Sequence, residues 1–251
     1  MPPKIAKNQP LKKIGTVALR GDIEALILEC SADVAAKLRA YREKRDWWDF
    51  ARLCMVAKIT FQNMSDELCR QDDLFPEIQK ELESAAKAGY WWNFSWIAVA
   101  AKILFPDKIT ELAVFDNAFQ GIRSRLHACR EDRDLAGCSW MMVAAKILFQ
   151  ERIGEFNITD DIFRDIKNAL DDDRKNNHWW NFALLAMAAK ILFPNRLDEI
   201  YIDDTVFEGI KTRLKDCRAR GEWWDFCQLV FMARVLAAKE VVITDNEFIL
   251  R

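Results

Sequence analysis

The chain has 251 residues, 51% of them apolar and 30% charged, with a formal net charge of −2. That balance is ordinary for a folded soluble protein, and it excludes a general electrostatic attraction to nucleic acid or to an anionic membrane. Seven cysteines, an odd number with no C-x-x-C pair, exclude a disulfide framework and point to a reducing intracellular compartment, cytoplasm or nucleus.

Residues 1–20 carry Lys4, Lys7, Lys12, Lys13 and Arg20 and no acid, so this basic N-terminal arm is locally positive. It holds no apolar h-region, so no secretory signal is visible in it. Residues 21–240 are organised by a step of 44 residues. WWDFARLCMVAKITF begins at Trp47, WWNFSWIAVAAKILF at Trp91, WWNFALLAMAAKILF at Trp179 and WWDFCQLVFMARVLA at Trp223; LAGCSWMMVAAKILF, a degenerate copy, begins at Leu135. A fixed period of this length marks stacked supersecondary units that share one core. The units run at about 21–64, 65–108, 109–152, 153–196 and 197–240.

Within units 2 to 5 a first helix is predicted from the pattern D-x-x-F-x-x-I-x-x-x-L, as in Asp116, Phe119, Ile122 and Leu126; the first unit has Leu28 and Ser31 for the Asp and Phe and keeps Val34 and Leu38, as an N-terminal cap would. This spacing lays the apolar side chains along one stripe. Asp72, Asp116, Asp160 and Asp204 are natural N-caps. A short polar turn (KAGY, RKNNH, RARGE) leads into a second helix that opens at the Trp pair and is apolar on nearly every face, so it must be enclosed on every face. Its apolar run of about 15 residues, carrying a Lys near the end, is short of the roughly 20 residues a membrane span needs. Pro106 and Pro194 stop the helix, and a connector of about ten residues, with a short third helix or a turn, follows. Residues 241–251 read as a truncated sixth unit, beginning at Asp245 and Phe248, or as a C-terminal cap. The fold class is all-α: a right-handed αα-solenoid of five 44-residue helical-hairpin repeats.

The A-A-K-I-L segments at Ala100–Leu104 and Ala188–Leu192 resemble the small-residue face of a HEAT repeat's second helix. Over residues 21–240 the chain is similar to the HEAT and armadillo class of α-solenoids. The W-W-D at Trp47–Asp49 and Trp223–Asp225 also resembles HEAT-like alkylpurine DNA glycosylases. Those enzymes place a second acid one turn later, where this chain has Phe50, Ala51, Arg52 and Phe226, Cys227, Gln228. A glycosylase role is therefore the third reading.

Candidate site residues come from superposing the units. Lys58, Lys102, Lys146, Lys190 and Arg234 form one row, at the negative end of the second helix. A second row is Arg42, Arg130, Arg174 and Arg218, and a third is Arg123, Lys167 and Lys211. The last two rows are seven residues apart, so they share a helix face. Together with Lys215 they make a basic stripe. The residues assigned to partner binding are Arg123, Arg130, Lys167, Arg174, Lys211, Lys215 and Arg218. The same stripe is also the composition of a solvated face, because Glu131, Asp132 and Asp171 to Asp173 lie beside it. The Trp pairs read first as core, although adjacent residues point about 100° apart, which lets one indole be buried while the other lines a groove. Hairpin 3, with Leu135, Ala136, Gly137 and Cys138 in place of W-W-x-F, should leave a space or change the curvature of the stack, unless its neighbours repack locally.

Only two histidines, His127 and His178, occur, at no metal spacing, and there is no phosphate loop, G-x-S-x-G or H-E-x-x-H. The expectation is a non-enzymatic scaffold without cofactor, metal or small-molecule substrate. It would bind a protein partner or assemble with itself end to end; the alternative is a nucleic-acid-binding solenoid that uses the basic stripe.

Overall fold

A computed structural model describes residue 25 and residues 28–60, 74–111, 115–200, 202–238, 240–244 and 248–250. Apart from one two-stranded antiparallel sheet, the regular elements among the described residues are helices. They pair as hairpins: α1 (Ser31–Glu43) with α2 (Trp47–Thr60), α3 (Leu74–Ala88) with α4 (Trp91–Leu104), and α5 (Phe115–Glu131) with α6 (Leu135–Leu148). The last two pairs are α7 (Asp160–Lys175) with α8 (Trp179–Leu192) and α9 (Asp204–Arg220) with α10 (Trp223–Ala237). Three connectors contain a short 3-10 helix, at Pro106–Glu111, Gln150–Phe156 and Pro194–Glu199. The arm at 1–20, Asp72 and Asp245 lie outside the described residues.

One backbone device sets every hairpin. Arg45, Gly89, Arg133, Asn177 and Gly221 adopt positive φ, between 55° and 71°. The amide of the following residue then donates back into the first helix, Asp46 to the Tyr41 carbonyl at 2.8 Å and Asp134 to that of Cys129 at 2.8 Å. The left-handed residue and this 6→1 bond are a Schellman closure, which satisfies carbonyls that the helix end would otherwise orphan. Helix starts differ from expectation by one residue. Asp203, in extended backbone, is the cap of α9, its Oδ1 accepting from the Thr205 and Val206 amides at 3.1 and 3.3 Å. Asp160 and Asp204 sit inside the first turn, where a carboxylate suits the helix dipole.

The second helices form the interior. From Phe94 to Leu104 every residue of α4 is buried, as an all-round apolar helix requires. α2 packs on α4, α4 on α6, α6 on α8, α8 on α10, and α10 on α2. The lysine row follows the same cycle. Lys58 Nζ donates to the Leu104 carbonyl at 3.2 Å and Lys102 Nζ to that of Ile147 at 2.5 Å. Lys190 Nζ donates to Leu236 at 3.0 Å and also to Ala238, and Arg234 Nη2 reaches the Ile59 carbonyl at 3.4 Å. Each of these cations therefore caps the C-terminal carbonyls of the next helix, rather than only facing the dipole of its own. The last of them reaches back to the first hairpin. On the outer layer Arg218 of α9 pairs with Asp33 of α1 at 2.7 Å.

Hairpins 1 and 5 cover each other, and end-to-end assembly would have to displace that contact. The middle is closed by aromatic rings. Trp96 stacks on Trp140 at 3.5 Å and 10°, and meets Trp224 and Phe231 edge-on at 5.6 and 6.1 Å. The chain after α10 forms a β-hairpin, β1 (Val241–Ile243) against β2 (Phe248–Leu250), with Val242 opposite Ile249. Phe248, expected at the start of a sixth helix, is in β2 and stacks on Phe231 at 5.8 Å.

Candidate functional site

The two indoles of each pair do different jobs. In hairpins 2 and 4 the first lies against the next hairpin. A Cβ built on Gly121 of α5 would fall 2.1 Å from a Trp91 ring carbon, and one on Gly209 of α9 would fall 2.2 Å from Trp179. These glycines are seats for indole rings. The second indole turns toward the centre, where Trp92 meets Trp140 at 6.4 Å and Trp224 meets Trp96. All eight paired tryptophans are partly buried against the core, and Trp96 and Trp140 are fully buried.

At this end of the molecule, where α2, α4 and α10 begin, lies a cavity of about 520 Å³. Its walls include Asp46, Trp48, Asp49, Glu81, Tyr90 and Trp224. Beneath it the Arg52 guanidinium is held between two indoles, 3.4 Å from the Trp224 ring centre and 4.3 Å from that of Trp48. Arg52 is 5% exposed and pairs with Asp49 at 3.4 Å. Burial lowers its pKa to about 9, against the opposing pull of Asp49. Burial likewise raises the Asp49 carboxyl, with Arg52 acting the other way. Three carboxylates, Asp46, Asp49 and Glu81, line the cavity, Asp49 also pairs with Arg52, and Tyr90, 64% exposed, is a further polar group in its wall. Nothing in this set is a nucleophile paired with a base. What it can do is hold a cation, because carboxylates and ring faces both attract positive charge. Sequence reasoning did not select this site. Its signal was an arginine inside the apolar run of α2, in the column occupied by Trp96, Trp140, Leu184 and Gln228.

The basic stripe is largely engaged within the molecule. Arg130 Nη2 donates to the carbonyls of Phe156 and Asn157 at 3.0 and 3.1 Å, tying α5 to the next connector. Arg174 pairs with Asp171 at 3.4 Å, Lys211 with Glu208 at 3.4 Å, Lys167 with Glu199 at 3.9 Å and Arg218 with Asp33. Arg123 and Lys215 are exposed, and Arg123 faces Glu155 electrostatically. The stripe shares a face, as its spacing requires, but its charge is spent mostly on neighbouring acids and carbonyls.

Among the described residues one group, Cys217, Glu222 and Asp225, has ligand atoms close enough to enclose a metal ion. Arg213 already approaches both of its carboxylates, at 3.5 and 3.3 Å. Burial also pushes the Cys217 thiol up to about 11, so it is protonated at neutral pH. A guanidinium fills the role a metal would take. The six described cysteines are buried, and no described helix is long and apolar enough to cross a membrane. In hairpin 3 a cavity of about 510 Å³ lies between α5, α6 and α7, where the Trp pair is missing. Compared with known proteins, the chain matches no protein-family model, no curated protein and no solved structure.

Proposed function

We propose that this protein is a non-catalytic scaffold of five helical-hairpin repeats, closed on themselves, that binds a protein partner by seating one of its arginine or lysine side chains. The observation that carries this reading is the acidic, aromatic-walled cavity at Asp46, Asp49, Glu81, Trp48, Tyr90 and Trp224. Two features support it. The excess of carboxylate over guanidinium favours a positive guest, and Tyr90 exposes a ring at the mouth that an incoming cation can cover. The same walls already hold the Arg52 guanidinium against two indoles, so the geometry that would recognise an outside cation exists one layer below. The engagement of Arg130, Arg174 and Arg218 within the chain weighs against a phosphate-tracking stripe.

The test is fluorescence anisotropy with short labelled peptides that differ only in Lys or Arg against Gln. Basic peptides should bind, and the variants Glu81→Lys and Tyr90→Ala should each weaken that binding at least tenfold at unchanged melting temperature. Equal binding of the Gln peptides, or no binding of either kind, would remove the reading. A labelled oligonucleotide belongs in the same assay. Salt-sensitive binding to it, lost on charge reversal at Arg123 and Lys215, would move the site to the basic stripe.

A further inference from the structure

We propose that the cavity between α5, α6 and α7 is a binding site for a small planar bicyclic aromatic molecule, of which indole is the simplest. The molecule supplies its own standard for this space. In the other four hairpins the first tryptophan meets the phenylalanine three residues on, edge to face: Trp47–Phe50 at 5.8 Å, Trp91–Phe94 at 5.5 Å, Trp179–Phe182 at 6.2 Å and Trp223–Phe226 at 5.3 Å. Hairpin 3 has Leu135 and Cys138 at those two positions.

The backbone has not closed over the loss. The turn keeps its positive-φ residue, Arg133 at 56°, and its closing bond from the Asp134 amide to the Cys129 carbonyl is 2.8 Å, against 2.9 Å for the equivalent bond from Tyr90 to Ala85. An unchanged frame with two rings removed leaves a hollow, and one of about 510 Å³ is there. Its floor is Leu135, Cys138, Met142 and Ile162, an apolar surface that water solvates poorly and a flat ring covers well. Gly137 carries no side chain to fill the gap, and a Cβ there would lie 2.2 Å from the Asp134 carboxylate, which would first have to move.

The rim suits an aromatic guest as well. Arg130 and Arg133 line the mouth, opposite Asp165. Elsewhere in this protein guanidiniums lie on ring faces repeatedly: Arg52 on Trp224 and Arg152 on Phe119, both at 3.4 Å, and Arg196 on Phe163 at 3.8 Å. A bound ring would receive the same cover, and a polar substituent on it would sit among the charges at the mouth. This site is separate from the cation-binding cavity, so either assignment can fail alone.

The experiment is a titration of the protein, labelled with ¹³C at its methionine methyls, with indole, followed by NMR. The Met142 methyl should shift upfield by the ring current and saturate, and the double variant L135W/C138F, which restores the pair found in the other hairpins, should lose at least tenfold in affinity. An unmoved Met142 signal would overturn the proposal, and so would equal indole affinity in the folded double variant. Should the double variant fail to fold, the Met142 shift in the wild-type protein decides alone.

Discussion

Replacing Gly121 by alanine sets two effects of opposite sign against each other, and the structure says which wins. In an exposed helix interior the change gains about 0.5–1 kcal/mol, because glycine loses more backbone entropy on folding. Here the new methyl would lie 2.1–2.4 Å from three ring carbons of Trp91, so the indole must move. Overpacking of this kind costs about 1–3 kcal/mol. Displacing the ring also disturbs its edge contact with Phe94 at 5.5 Å, a pair worth about 0.5–1.5 kcal/mol beyond its buried area. The net expectation is destabilisation by about 2 kcal/mol, or a melting temperature lower by roughly 4–8 °C for a chain of this size. Urea unfolding read by circular dichroism measures it. In a Trp91→Ala background these three clashes are gone, and the same substitution should become stabilising by about 0.5–1 kcal/mol. Gly154→Ala is a control, since a methyl at that position would meet no atom within 4 Å. A Gly121→Ala protein more stable than wild type would refute the seat and the packing order built on it.

Lys102→Met should destabilise by about 1–3 kcal/mol, because the Ile147 carbonyl at the end of α6 loses a buried partner; unchanged urea midpoints would show that the lysine row is ornamental. Alkaline pH should weaken the fold. Burial raises the native thiols of Cys217 and Cys138, to about 11 and about 12, and the Tyr41 hydroxyl to about 12. Groups raised in the native state add stability below their unfolded pKa and lose it as pH climbs toward the native value. Urea midpoints should therefore be level through pH 8, then fall from about pH 9 for the thiols and about pH 10 for Tyr41; a midpoint constant to pH 11 would contradict the burial of these groups.

The hairpins were legible because their signals are local. The Trp pair opens four of the five second helices, and the turn residues Gly89, Asn177 and Gly221 sit where a left-handed backbone is needed. The arginines at positions 45 and 133 give no such hint in composition, yet the 44-residue step places them in the same role. Closure of the contacts was not legible. It joins residues as far apart as Asp33 and Arg218, and nothing in the lysine row separates a cation that faces its own helix end from one that reaches the next. The stripe of Arg130, Arg174 and Arg218 shows the limit of periodicity: spacing tells which residues share a face, but not that Phe156 and Asp33 stand opposite. Arg52 was visible as a charge in an apolar run. Its place between two indoles depends on Trp224, from the far end of the chain.

The reach of Arg234 back to Ile59 changes how the protein should come apart. In a linear stack the outermost unit has one neighbour, so it frays first and shields the rest only weakly. Here hairpins 1 and 5 each have a neighbour on both sides, and peeling either one away breaks two interfaces at once. Local opening is then costly everywhere around the cycle. Amide exchange in α2, α4, α6, α8 and α10 should be slow to a similar degree, with no gradient running from one end to the other.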